Sequence, residues 1–336
     1  MKLALIFAGL ALLLASTNDA AAQAPQHLGG CTVLNMRSNG SPPADLSSIC
    51  LHYQDWGNRD FFTPPIELAF DTAEPLACGH SGCVTSATNA RVVIVNDATI
   101  NGWVLSDPGV HRIDIFLTVG LLDFADGTTA SLTQQLIDAT GQSNKPGIVN
   151  VLTALHTRSG EVCAAGMPRP PKPDLTALGV TDEQLYTMQM SGDAGILTFV
   201  FLHEFAHLLS GGPCGVTTGS IMQIENACDQ RARGWFFKGA TAFTDVYSWM
   251  AIIGSYQALE GPLLTSQAGF AGGGAHSLRQ MFPASDWKSR ANALFRDWKE
   301  RCQSSPATGV CAGFPLQAQV ASQIANVPIP TACHLP

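Results

Sequence analysis

The stretch Asp193-Ala194-Gly195-Ile196-Leu197-Thr198-Phe199-Val200-Phe201-Leu202-His203-Glu204-Phe205-Ala206-His207-Leu208-Leu209-Ser210, closed by Gly211-Gly212-Pro213, decides how the rest of the chain is read. Asp193 is an N-cap residue type and the Gly-Gly-Pro run is a stop, so the spacing predicts a helix over Ala194–Ser210. That helix is apolar nearly all round, which places it at the centre of a core. Its polar exceptions are His203, Glu204 and His207, in the pattern His-Glu-x-x-His. Two histidines four apart project from one helix face, and both imidazoles can then reach one Zn²⁺ at about 2.0–2.1 Å. Glu204, one residue round, can sit beside the metal without ligating it and take the proton from a zinc-activated water. Two core histidines with satisfied hydrogen bonds would be the blander explanation. It leaves Glu204 as a buried carboxylate with no partner, which is costly.

A catalytic zinc needs a third protein ligand and an open position. Ser220-Ile221-Met222-Gln223 reads as the capped start of the next helix, which carries Glu225 and Asp229 four apart on one face. Glu225 follows His207 by 18 positions, enough chain for one tight connection between packed helices. Glu225 is the expected third ligand, with Asp245 its rival. Asp229 is placed to accept the outer ring N–H of a ligand histidine, His203 by its position. A solvated helix face is the alternative for both acids.

Working outward, Val92–Val95, Ile100–Leu105 and Val110–Thr118 are β-type runs broken by the turn Asp107-Pro108-Gly109, and predict a small meander. Residues 131–139 read as helical. Met167-Pro168-Arg169-Pro170-Pro171-Lys172-Pro173 reads as an exposed loop, and Thr181 with Gln184 forms a capping box for a short helix through Met190. Residues 23–85, rich in Pro, Gly and Ser, read as a disulfide-tied, loop-rich lead-in. Trp287, Ala291, Leu294, Phe295 and Trp298 make an apolar helical stripe, expected to be core contact.

Of 336 residues, 46% are hydrophobic and 13% charged, against roughly 25% charged in typical soluble domains, so the chain can bury a substantial core and has the low charge of an exported protein. The net charge of −8, with no basic stripe, excludes nucleic acid as a partner. Met1-Lys2, the apolar run Leu3–Ala15 and Ala20-Ala21-Ala22 read as a secretory signal over residues 1–22. The run is shorter than the about 20 residues a spanning helix needs, so no transmembrane segment is expected in the mature chain. All ten cysteines lie after the signal, none as Cys-x-x-Cys, which points to disulfides and a secreted or periplasmic location. Cys78–Cys83 and Cys302–Cys311 are local pairing candidates. Cys214 and Cys228 frame the connection between the two ligand-bearing helices, and a disulfide there would clamp the site. Cys228 itself is expected to point away from the face of Glu225 and Asp229.

His203-Glu204-x-x-His207 followed by Glu225-Asn226-Ala227-Cys228-Asp229 resembles the Glu-x-x-x-Asp arrangement of gluzincin metallopeptidases. Asn96–Trp103, and Ile113-Asp114-Ile115 to Gly120-Leu121-Leu122, are similar to strand segments of one gluzincin family: the CaaX prenyl proteases, the Oma-type proteases and their soluble periplasmic relatives. The likeness covers roughly residues 90–240. It implies an α+β zincin-like fold with a small, mainly antiparallel sheet, in which an edge strand, Ile113–Thr118, binds extended substrate by β-augmentation. The expected organisation is a signal over 1–22, the lead-in over 23–85, a metallopeptidase domain over 86–300 with an insertion at about 140–192, and a Cys-containing tail over 301–336. The expected function is a zinc endopeptidase acting on proteins or peptides, with one Zn²⁺ per chain held by His203, His207 and Glu225. Glu204 is the expected general base. His276, Arg290 and Tyr247 are open candidates for stabilising the transition state. The competing expectation is a zinc-bearing chaperone or binding module with little hydrolysis; a third is a structural disulfide-rich protein without metal.

Overall fold

A computed structural model of the chain describes residues 24–37, 46–51, 60–79, 89–96, 102–107, 112–122, 125, 126, 129, 182–209, 214, 221–239 and 284–304. Among them, β1 (Gln26–Leu28), β2 (Cys31–Arg37), β3 (Asn89–Val95), β4 (Gly102–Asp107) and β5 (Arg112–Thr118) form one sheet in the order β1-β2-β3-β5-β4. The helices are α1 (Ser47–Cys50), α2 (Thr63–Cys78), α3 (Asp182–Leu208), α4 (Ile221–Gly239) and α5 (Ala284–Ser304). The protein is a mixed α+β structure with a small sheet, mainly antiparallel as expected.

The run Val92–Val95 is continuously apolar because both faces of β3 are covered. Ala90, Val92 and Ile94 join Ile113, Ile115 and Leu117 in the core that includes α2 and α3, while Val93 and Val95 meet Cys31, Val33 and Phe116 on the opposite face. The expected meander is not formed. β3 pairs with β5 in parallel, Val92 opposite Ile115, and β4 lies outside β5, antiparallel to it with Trp103 opposite Phe116. Consequently Ile113–Thr118 is an interior strand, and among the described residues β4 and, at the other end, β1 are the edge strands. The physical reason is visible in the residues: β5 is buried on both faces, whereas β4 carries Ser106, Asp107 and an exposed Leu105.

Residues 23–85 also differ from the loop-rich expectation. Their described part supplies β1, β2 and the 16-residue α2. Pro64 and Pro65, two of the prolines of this segment, fall in the first turn of α2, where a missing N–H is tolerated. The segment is disulfide-tied as expected, through Cys31–Cys50. Phe70 of α2 packs edge-on against Phe201 and Phe205 of α3, at 5.8 and 5.7 Å between centroids.

The two expected helices over 182–190 and 194–210 are one helix of 27 residues, and Asp193 lies buried in its middle rather than capping it. Cap-type residues lose here to tertiary packing. A Cβ on Gly192 would collide with Cγ2 of the buried Thr129, so the glycine permits a close approach instead of a break. Gln189 adds a hydrogen bond to Asp126, and the two contacts anchor the N-terminal half of α3.

On the other side, α4 packs on α3 through Phe236 against Phe199, and α5 closes over α4 with Leu294 and Trp298 fully buried, as the apolar stripe predicted. Arg233 pairs with Asp297 at 2.6 Å between those two helices. The signal over 1–22, the helix over 131–139, the proline-rich loop, the caps Thr181 and Ser220 and the stop at 211–213 lie outside the described residues. Of the insertion at 140–192, residues 182–192 form the start of α3. Among the described residues no helix is long and apolar enough to cross a membrane.

Candidate metal centre

The C-terminal end of α3, the first turns of α4 and one residue of α5 build the site. His203 and His207 stand one turn apart, with their Nε2 atoms 3.1 Å from each other. Glu225 approaches from α4, its Oε2 3.1 Å from Nε2 of His203 and its Oε1 3.5 Å from Nε2 of His207. A tetrahedral cation with ligands at about 2.0–2.1 Å requires donor atoms about 3.3 Å apart, and the two imidazole nitrogens at 3.1 Å, each with one oxygen of the Glu225 carboxylate at 3.1 or 3.5 Å, are close to that. His203, His207 and Glu225 could therefore hold a metal ion.

The chemistry of the donors makes the same point. Nδ1 of His203 lies 2.8 Å from Oδ1 of Asp229, so its ring proton is drawn to that side and Nε2 presents a lone pair. Nδ1 of His207 lies 3.3 Å from Sγ of Cys228, which likewise directs its proton outward and its Nε2 lone pair inward. Two imidazole lone pairs and a carboxylate thus converge on one small volume. They repel one another unless a proton or a cation sits between them.

Arg290, from α5, lies behind this set. Its Nε donates to Oδ2 of Asp229 at 2.5 Å and its Nη2 to Oδ1 at 2.9 Å, a two-pronged pair, and Nη2 reaches Oε2 of Glu225 at 3.3 Å. Asp229, Arg290 and His203 are buried, whereas the side chains of His207 and Glu225 are about one-fifth exposed, at 22% and 21%. The site is closed at the back and reached from the side of His207 and Glu225.

Burial and charge tune each group. Burial alone would lower His203, but hydrogen bonds to Asp229 and Glu225 and their charges carry it up to about 10 when no cation shares the site. Burial and the His203 charge push His207 down to about 4. Burial raises Glu225, yet His203 and Arg290 outweigh it and hold the carboxylate at about 2. Asp229 lies well below the usual carboxylate range: burial opposes this, and the Arg290 guanidinium overcomes it. Glu204, buried, is pushed up to about 7 by desolvation, with the His203 charge opposing. A carboxyl that titrates near neutrality is suited to passing a proton in both directions.

Of the residues expected from the sequence, the structure brings His203, Glu204, His207, Glu225 and Asp229 together. Arg290 is engaged with Asp229 and Glu225 at the back of the ligand set. His276, Tyr247 and the rival ligand Asp245 lie outside the described residues. The Cys214–Cys228 disulfide is present, as expected from its position in the chain. Cys228 does not point away, however. The i+3 spacing from Glu225 turns it only about 60° round the helix, and its sulfur meets His207. The sequence also held a signal for Arg290: it precedes Leu294 and Trp298 at steps of four, a cation on a face that is otherwise core. Compared with known proteins, the chain matches no family model, no curated protein and no solved structure.

Proposed function

We propose that this protein is a secreted or periplasmic zinc-dependent endopeptidase of gluzincin type. The observation that carries the reading is the convergence of Nε2 of His203, Nε2 of His207 and the Glu225 carboxylate at 3.1–3.5 Å, with Glu204 adjacent on the same helix. Two imidazole nitrogens and a carboxylate converging this closely, reached from one side, are a donor set that suits a catalytic Zn²⁺. When bound, the cation would polarise a scissile carbonyl and acidify an attacking water.

The chain's own residues do the remainder. Glu204 accepts the proton of the attacking water and returns it to the leaving amine. Asp229 holds His203 in the tautomer that leaves Nε2 free, and Arg290 holds Asp229 and Glu225 in place. Substrate in extended form would add to β4, the edge strand nearer the site, which runs beside α3 where Gly102 faces Val200, one turn before His203 and Glu204. An export route is supported by the leader-like N-terminus and the disulfides.

The test is Glu204→Gln. The variant keeps one zinc per chain and loses hydrolysis of an unfolded protein substrate by about 10²–10⁴-fold. Near-normal turnover in the variant would overturn the mechanism. Zinc binding by the wild type without hydrolysis of any unfolded substrate would favour a non-hydrolytic binding module.

A further inference from the structure

The disulfide at the edge of the site offers a second set of donors. Cys214, in the connection after α3, and Cys228, on α4, have Cα atoms 5.1 Å apart and are bonded through sulfur. They pack with Ala206 in a small apolar cluster beside the ligand helices. Sγ of Cys228 lies 3.3 Å from Nδ1 of His207, and one donor atom from each of His207, Cys214 and Cys228 falls within 4.8 Å of the others. With metal–sulfur bonds of about 2.3 Å and metal–nitrogen bonds of about 2.0–2.1 Å, a tetrahedral ion needs donors roughly 3.5–3.8 Å apart. Two sulfurs released from their bond, one of them already 3.3 Å from Nδ1 of His207, need only small shifts to reach that spacing.

We propose that Cys214, Cys228 and Nδ1 of His207 form a second, redox-gated metal site, closed as a disulfide and opened by a dithiol to hold a thiophilic divalent cation. The inference stands on the sulfur and nitrogen geometry; only its consequence for hydrolysis rests on the zinc-peptidase reading.

Opening balances as an ordinary exchange. Cys228 is fully buried and Cys214 slightly exposed, so a thiolate of the reductant attacks Sγ of Cys214. The Cys214–Cys228 bond breaks and its electron pair leaves on Sγ of Cys228, whose charge faces Nδ1–H of His207. The reductant's second thiol then displaces Cys214 and closes the reductant's own disulfide. The protein gains two electrons and two protons, and the reductant loses both. Cation binding afterwards expels the two thiol protons.

A neutral imidazole has one lone pair, so His207 cannot offer Nδ1 to this site and Nε2 to the other at once. Thiolates also outcompete carboxylate and imidazole for soft cations. Reduction therefore draws His207 away from Glu225 and acts as an off switch.

Cobalt(II) is the probe. Oxidised wild-type protein loaded with cobalt shows no sulfur-to-metal charge-transfer band. Protein reduced with a dithiol, freed of it under nitrogen and reloaded shows that band at one thiolate-bound cobalt per chain. The Cys214→Ser/Cys228→Ser variant shows none after the same treatment. A second reading needs no variant: in reduced wild-type protein, cobalt slows iodoacetamide labelling of Cys214 and Cys228 at least about tenfold and leaves Cys31 and Cys50 unaffected. Absence of the band in reduced wild type, its persistence in the variant, or equal labelling of all four cysteines would overturn the proposal. If oxidised protein binds no cobalt while the reduced protein shows the band, the peptidase-site reading fails and this one stands.

Discussion

His203 and His207 stand one turn apart on one helix and turn the same nitrogen inward, yet they are held from behind by different chemistry. His203 is buried and leans on Asp229, itself gripped by Arg290. His207 is partly exposed and leans on a disulfide sulfur. A carboxylate fixed by a guanidinium raises the basicity of its histidine and cannot be removed without leaving a buried charge behind. A disulfide sulfur is a weak acceptor, and reduction can change it. The pair therefore combines one permanent support with one conditional support.

The largest effect is expected where the permanent support is cut. Asp229→Asn leaves Arg290 without its main counter-charge in a buried position, so stability should fall by about 3–5 kcal/mol in thermal unfolding. Zinc affinity, read by chelator competition on the folded fraction, should fall about 10–100-fold. The Cys214→Ser/Cys228→Ser variant removes the conditional support. It opens a loop of sequence separation 14, worth at most about 3 kcal/mol of stability, and lowers zinc affinity less than Asp229→Asn does. A larger loss of zinc affinity in the cysteine variant would invert the comparison.

The far half of α3 supplies the control. Gly192→Ala forces a methyl group against Thr129 and should cost about 1–3 kcal/mol, while zinc affinity per folded chain stays unchanged. Loss of zinc affinity there would mean that the helix transmits strain along its length and that the two supports are not local. The smallest effect per unit is that of pH. Without a cation His203 keeps its proton up to about pH 10 and His207 loses its own above about 4, so one proton, on His203, must leave when zinc enters. Affinity should then rise about tenfold per pH unit through neutrality. Titrations at pH 8 in buffers of different ionisation enthalpy should report release of one proton from the site; no release would contradict the assignment of that proton to His203.

Much of the candidate site is legible because helix geometry is local: spacings of four place His203 with His207 and Glu225 with Asp229, whatever the rest of the chain does. The apolar stripe through Leu294 and Trp298 was legible for the same reason. What could not be read depends on long-range pairing. The polar end of Gly102–Asp107 hints at an edge strand, but no local spacing announces that β5 pairs with β3 in parallel, because that pairing is made between segments distant in the chain. Asp193 is a residue of a helix start, and the helix runs through it where Thr129 and Asp126 pack against Gly192 and Gln189. The sequence leaves Arg290 an open candidate for stabilising the transition state, because its partners, Asp229 and Glu225, lie more than sixty residues earlier.

The central claim is a metal held by two histidines and a glutamate, and metal analysis of the purified, oxidised protein tests it most directly. Wild-type protein should carry one zinc per chain, and a His203→Ala/His207→Ala variant that remains folded by circular dichroism should carry none. Wild-type protein without stoichiometric zinc after loading, or a double variant that retains it, would rule out this metal centre.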